Sequence, residues 1–279
     1  MAPLTSRMRA PAAPSRRRHD TARSTGPKSL KTVGEAMTLL EQFTVERPRL
    51  NIPALQKLMG LPKTNVYRLL STLESLGYLE KDRASGYYHL SLRLYEIGSR
   101  SLVNFNLRDL GRRYLQQLNE RTEETVILSV LDKGDVVHID VLPGRKRLSA
   151  TSHVGARLPA HATASGLALL AFSSPEVVDG VIGRGLAPVT ERTITSPAAL
   201  RGVLGEVRRA GVSSNYGGRL REVFGVGAPV IGRSGFAEAA LAIAVPLPYI
   251  GPGDEARLKR AVAEVAGEFS KALGYVPGR

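Results

Sequence analysis

The sequence predicts an α+β chain in which a small helical domain with a β-hairpin precedes a larger domain of helices flanking an antiparallel sheet. Three observations carry that expectation. Between Asn51 and Leu79 two short amphipathic helical patterns flank a tight turn, and two short extended runs follow at once. Further on, the β-branched runs TVILSVLD and DVVHIDVLP alternate with helical patterns. The length of 279 residues is enough for two cores.

In chain order, residues 1–27 read as a basic tail rich in Arg, Pro and Ala, with the composition of a disordered extension and no continuous apolar stretch of a secretory signal. Arg16, Arg17 and Arg18 are expected to be solvated there, with DNA phosphates as the alternative partner. The first domain is expected over residues 28–90. Leu30, Val33, Ala36, Met37, Leu40 and Phe43 give its first helix an apolar stripe with a structural role.

Pro53 suits the first turn of the second helix, whose apolar positions are Ala54, Leu55, Leu58 and Met59 and whose end is Gly60. Val66, Leu69, Leu70, Leu73 and Leu76 repeat at three and four residues in a third helix that Gly77 closes. Its outward side carries Lys63, Thr64, Asn65, Tyr67, Arg68, Ser71 and Thr72, concentrated in the first two turns. That placement is how a recognition helix presents side chains to base edges in the major groove. The run YLEKDRASGYYHL then forms a hairpin about Asp82 to Gly86, a wing whose Lys81 and Arg83 face phosphates or a minor groove. A helical hairpin in an ordinary bundle shows similar apolar spacing; the wing argues against that reading. Leu92, Leu94, Tyr95 and Ile97 open a linker helix over residues 91–104.

Charge points the same way. The formal net charge is +14, of which +9 falls up to Phe105 and +5 beyond it, so the excess is concentrated at the N-terminal end of the chain, where the helix-turn-helix lies. Double-stranded DNA is the expected partner. With no cysteine, disulfides and thiolate metal sites are excluded. No apolar run approaches the length of a membrane span, and a cytoplasmic home without membrane contact is expected.

The second domain is expected over residues 105–279. It opens with a helix over residues 107–122, followed by the hairpin of two β-branched strands joined at Lys133 and Gly134. Leu148 to Leu158 reads as extended and Ala162 to Phe172 as helical. Ser196 and Pro197 form a helix start that runs to Gly211. Strands at Val226 to Ile231 and Ala239 to Val245 and a helix from Asp254 to Leu273 complete the pattern.

SLKTVGEAMTLLEQF, GLPKTNVYRLLSTLESLGYLEKD and YHLSLRLYEIG together resemble the winged-helix domain of IclR-type bacterial transcriptional regulators. GARLPAHATASGLALLA, ERTITSPAALRGVLGEVRRAGVSSN, GVGAPV and ALAIAVPL continue the resemblance in the family's order, from about Ser29 to about Tyr275. The resemblance implies a GAF-like effector domain, homodimers pairing into tetramers, and pocket positions at Asn215, Gly225, Ala242 and Ala244. Relatives that take small oxo-acids offer acidic and polar or thiol side chains there. This chain offers Asn215, Gly217, Gly218, Gly225, Ala242 and Ala244, which implies a larger, more apolar pocket for an aromatic or longer acyl compound.

The residues themselves nominate HATASG, His161 to Gly166, as a ligand-binding segment, because free N–H groups at a helix start suit an electron-rich ligand group. Close packing of that helix on a sheet would equally explain the small residues. An effector is expected against Ala164 and Ser165, bordered by Leu148 and Leu158 as well as by the positions the resemblance implies. The competing readings are an architectural DNA-binding protein without effector, and a hydrolase using Ser165 with His161, His138 or His153. No nucleophile elbow, zinc-hydrolase motif, P-loop or complete dinucleotide fingerprint supports the latter. His138 alternates with Val137 and Ile139 and is expected to face solvent or a neighbour. No metal site, cofactor or catalytic residue is expected.

Overall fold

A computed structural model describes residues 30–101, 107–146 and 149–276, with side chains of 99–101 excepted. The basic tail, residues 102–104 of the expected linker and Leu148 lie outside the described residues. The chain divides into two compact units, Met1–Arg100 and Ser101–Arg279.

The first unit holds α1 (Lys31–Glu41), α2 (Ile52–Met59), α3 (Lys63–Ser75), β1 (Leu79–Lys81), β2 (Tyr88–Leu90) and α4 (Leu92–Ser101). Asn51 starts α2 by accepting the Ala54 N–H at 3.0 Å, and Gly60 ends it at a φ of 66°, which an L side chain rarely adopts. The core gathers Leu39 and Phe43 from α1, Leu55 from α2, and Val66, Leu69, Leu70 and Leu73 from α3 against Leu50, Leu79 and Tyr88 of the wing. Each fully buried leucine here contributes about 1.5–3 kcal/mol of apolar transfer free energy. β1 and β2 pair antiparallel, and Leu50 bridges to Tyr88 on the far side.

Three sequence expectations are corrected within this unit. Leu39, absent from the expected stripe of α1, is fully buried, whereas Leu30, Val33 and Met37 are exposed by 75, 56 and 55 %. The helix has two apolar phases; the one through Leu39 and Phe43 is buried in the core, and of the expected stripe only Ala36, Leu40 and Phe43 reach it. Leu58 and Leu76 are likewise exposed, each at the end of a helix where the core has run out.

The second unit contains α5 (Leu107–Thr122), β3 (Thr125–Asp132), β4 (Asp135–Leu142), β5 (Arg157–Pro159), a single 3-10 turn at Ala160–Ala162, and α6 (Ala164–Ala171). It continues through α7 (Pro175–Gly183), α8 (Pro197–Ala210), β6 (Ser213–Tyr216), β7 (Val223–Ile231), β8 (Ala237–Pro246) and α9 (Asp254–Ala272). Its six strands form one antiparallel sheet in the order β5-β4-β3-β8-β7-β6. Lys133 and Gly134 turn the β3–β4 hairpin with positive φ at both, as a tight two-residue turn requires.

Because successive strand residues point to opposite faces, the sheet builds two cores. Phe224, Val226, Leu241, Ile243 and Val245 face Leu115, Leu118, Val262 and Phe269 of α5 and α9. On the opposite face Val136 and Ala240 meet Leu167, Leu170, Val178, Leu200 and Leu204 of α6, α7 and α8. The region expected to be extended up to Leu158 supplies only the three-residue β5, and the sequence reading omitted α7 and β6.

Candidate functional site

The candidate reading helix is α3, the second helix of the helix-turn-helix. Its buried side holds Val66, Leu69, Leu70 and Leu73, which leaves Lys63, Thr64, Asn65, Tyr67, Arg68, Ser71 and Thr72 all exposed on the other. Pro62, at the cap position, offers no side-chain acceptor, so the N–H groups of Lys63 and Thr64 have no acceptor within the helix, whereas that of Asn65 meets the Pro62 carbonyl. An open helix start with a cation suits a phosphate. Among the described residues no acid pairs with Lys63, Arg68 or Arg83.

The wing tip is held by Asp82, which accepts the N–H of Ala84 at 2.9 Å and the hydroxyl of Ser85 at 2.6 Å. The Ser85 hydroxyl, then the two backbone N–H groups and the nearby Arg49 charge, hold its carboxyl below the usual range. The turn therefore uses its own acid internally and presents Arg83 outward. Lys81 lies with its ammonium 5.4 Å from the centre of the Tyr88 ring, a cation–π contact that steadies it on the hairpin.

The second site is a cavity in the C-terminal unit, on the sheet face that α6 covers. Ile127 of β3 pairs with Ala242 of β8, and Gly225 of β7 pairs with Ala244, so these four lie side by side on three adjacent strands. With a hydrogen or a methyl group at three of them, the floor stands below the start of α6 and leaves about 100 Å³. An engineered apolar cavity of about 150 Å³ holds benzene, so the space suits a small ligand.

The start of α6 presses against β7 because glycines allow it. A methyl added at Gly227 would lie 2.8 Å from the Ala164 carbonyl oxygen, and one at Gly166 would lie 2.1 Å from that of Ala160. Thr163 caps the helix by accepting the Gly166 N–H at 3.0 Å, and the Ser213 hydroxyl donates to the Ala164 carbonyl at 2.7 Å. The N–H groups of Ala164 and Ser165, at the first two helical positions, have no acceptor within the helix.

Leu158, Ala164, Ser165, Asn215, Gly225, Ala242 and Ala244 all line this cavity. Asn215 has a second task, since its side-chain oxygen accepts the Gly218 N–H at 2.8 Å and so shapes the loop between β6 and β7. The sequence reading missed His138, Thr151, Ser152, Arg219, Leu220 and Val223 on the wall. The lining is mostly apolar, and His138, Thr151, Ser152 and Arg219 add polar groups to its wall. His138 is buried and meets Ser152 at 2.8 Å. Burial, then the charges of His153 and Arg219, lower its pKa to about 4, so it is neutral at pH 7. Strand alternation alone could not place it, because the β3–β4 register shifts between Leu128 and Ser129. Arg219 sits in a polar loop that carries no periodic signal.

The contact between His138 and Ser152 is a weak basis for catalysis. A base lowered to about 4 accepts protons poorly at pH 7, and no third group in the described residues hydrogen-bonds the ring. His161 is occupied at 3.0 Å with the Ala187 carbonyl, and Ser165 meets only Thr163. No metal-binding group of acids and histidines occurs among the described residues, and no helix there is long and apolar enough to cross a membrane.

A winged helix with an open reading face, joined in one chain to an α+β unit with a small-molecule cavity, defines a two-domain regulator of transcription. A family model described as the bacterial transcriptional regulator IclR C-terminal domain matches residues 99–271, and one for the IclR helix-turn-helix domain matches residues 32–83. The chain belongs to the IclR family of bacterial transcriptional regulators. It is 32 % identical to the HTH-type transcriptional regulator KdgR of Escherichia coli K12, over 89 % of this chain and 95 % of that protein. It is also 31 % identical to the p-hydroxybenzoate hydroxylase transcriptional activator of Acinetobacter baylyi, over 75 % of this chain and 79 % of the relative. A crystal structure of an IclR homologue from Microbacterium hydrocarbonoxydans in complex with 4-hydroxybenzoate has a TM-score of 0.76 at 28 % identity, covering 87 % of this chain and 99 % of that one.

Proposed function

We propose that this protein binds double-stranded operator DNA through α3 and the wing, and that a small organic effector in the C-terminal cavity controls that affinity. Lys63, Thr64, Asn65, Tyr67 and Arg68 read the major groove, and Lys81 and Arg83 hold the backbone. The observation that carries the effector half is the cavity itself, floored by Gly225, Ala242 and Ala244 beneath the open start of α6. Its volume favours a single aromatic ring or a short acyl compound, in keeping with the 4-hydroxybenzoate held by the Microbacterium homologue. An architectural protein has no use for such a cavity. The protein acts in the cytoplasm, where its operator is, and as a homodimer or dimer of dimers, since two-fold proteins match two-fold DNA sites. The enzymatic reading has no support from the relatives, which are transcriptional regulators.

Thermal denaturation of the full chain with small aromatic acids and amides tests the cavity. A binder at hundred-fold excess over its Kd should stabilise the protein by about 2.7 kcal/mol, and replacing Ala244 by leucine should abolish the shift. A shift that survives in A244L places the ligand elsewhere.

A further inference from the structure

Arg219 lines the cavity from the β6–β7 loop, half-buried, together with Leu220 of that loop and Val223 of β7. Among the described residues it has no acidic partner and no hydrogen bond, and the cavity lining contains no carboxylate at all. Two residues along the same loop, Arg221 is neutralised by Glu191 at 2.9 Å. The loop thus pairs one arginine outside and keeps the other bare inside.

The loop is also held in place. The Thr190 hydroxyl donates to the Gly217 carbonyl at 2.7 Å, the Thr193 hydroxyl donates to that of Gly218 at 2.7 Å, and Asn215 accepts the Gly218 N–H. A methyl at Gly218 would meet the Asn215 side-chain amide at 2.6 Å, so that amide would have to move and its bond to the Gly218 N–H would be disturbed. Arg219 is consequently carried on a braced segment. A guanidinium taken partly out of water without a counter-charge is unfavourable, and an anion that enters beside it removes that cost. His138, the other ionisable group on the wall, adds no negative charge, and the open N–H groups of α6 also favour an electron-rich atom.

We propose that Arg219 is the charge-selecting residue of this cavity, pairing with the carboxylate of a small organic acid whose hydrocarbon part lies over Ile127, Ala242 and Ala244. This rests on the reading of the cavity as the effector site. A planar guanidinium fits a carboxylate with two parallel hydrogen bonds, a geometry that neither a neutral amide nor a lysine reproduces.

Isothermal titration calorimetry on the full chain tests it with benzoate, 4-hydroxybenzoate, phenylacetate and pyruvate, each beside its neutral amide. The expected result is that at least one acid binds and its amide binds tenfold or more weakly. In R219Q that ratio should collapse towards one, and in R219K it should fall between. Equal affinity of acid and amide in the wild type, or an undiminished ratio in R219Q, overturns the proposal while leaving the cavity as an effector site. Binding by no member of the panel counts against both readings. If R219Q fails to fold, the wild-type ratio and R219K still decide.

Discussion

Gly227 and Gly205 carry the same side chain and opposite expectations. At Gly227 of β7 a methyl meets the backbone of Ala164 and Ser165 at 2.8 and 3.0 Å, so Gly227→Ala should destabilise the protein by about 1–3 kcal/mol. At Gly205, exposed within α8 with nothing inside 4 Å, the same change should stabilise by about 0.5–1 kcal/mol. Urea denaturation distinguishes the two, and equal effects would refute the close approach of α6 to β7. His138 gives a pH signature. Its folded pKa of about 4 lies below its ordinary value of 6.5, so the folded state binds fewer protons. The resulting stability is complete above pH 6.5 and is lost as the pH falls towards 4, a loss of up to about 3 kcal/mol. His138→Gln should flatten that part of the profile, whereas an unchanged slope would mean the ring is not buried neutral. On the reading helix, Asn65→Ala and Arg68→Ala should relax sequence choice by about 1–3 kcal/mol for each base that is no longer read. Arg83→Ala should instead weaken operator and random DNA alike and reduce the salt dependence. Equal weakening on both DNAs for the Asn65 and Arg68 variants would remove them from base reading.

Among elements, those with punctuation were legible and those without were not. Pro53, Gly60, Ser196, Pro197 and Gly211 sit at helix ends where their chemistry places them, and α2 and α8 followed from them. Ser174 and Pro175 open α7 with the same residue pair as Ser196 and Pro197 at α8, although only Ser196 accepts a backbone N–H with its side chain, so that signal was present and unread. β6 is a four-residue edge strand, SSNY, too short and polar for alternation to reveal. The floor of the cavity was legible because small residues at alternate strand positions leave space; its wall depends on a shifted register and an irregular loop. In α1, periodicity was real but two-phased. Among the described residues Val33 and Met37 are exposed, as are Leu92, Tyr95 and Ile97 of α4. We expect the DNA-binding units to dimerise through Met37, Leu40, Leu94 and Ile97, of which Met37 and Ile97 are exposed and Leu40 packs partly into the core. Sedimentation should therefore show that Met37→Glu and Ile97→Glu weaken self-association tenfold or more while helix content is kept. Unaltered association in both variants would exclude this face as the dimer interface.

At the scale of the molecule, a cavity controls a reading helix only if the ligand prefers one of two arrangements of the chain, and the change in operator affinity cannot exceed that preference. Couplings of this kind amount to about 1–3 kcal/mol, or roughly 5–150-fold. The two units have separate cores, so an alteration confined to the cavity should leave the free protein's operator affinity nearly intact. The most direct measurement is operator affinity of the wild type and of A244L, with and without saturating concentrations of the tightest-binding acid from the calorimetric panel. The account predicts a shift of roughly 5–150-fold in the wild type, none in A244L, and ligand-free affinities within about twofold of each other. An equal shift in both proteins, or none in the wild type at saturation, would contradict it.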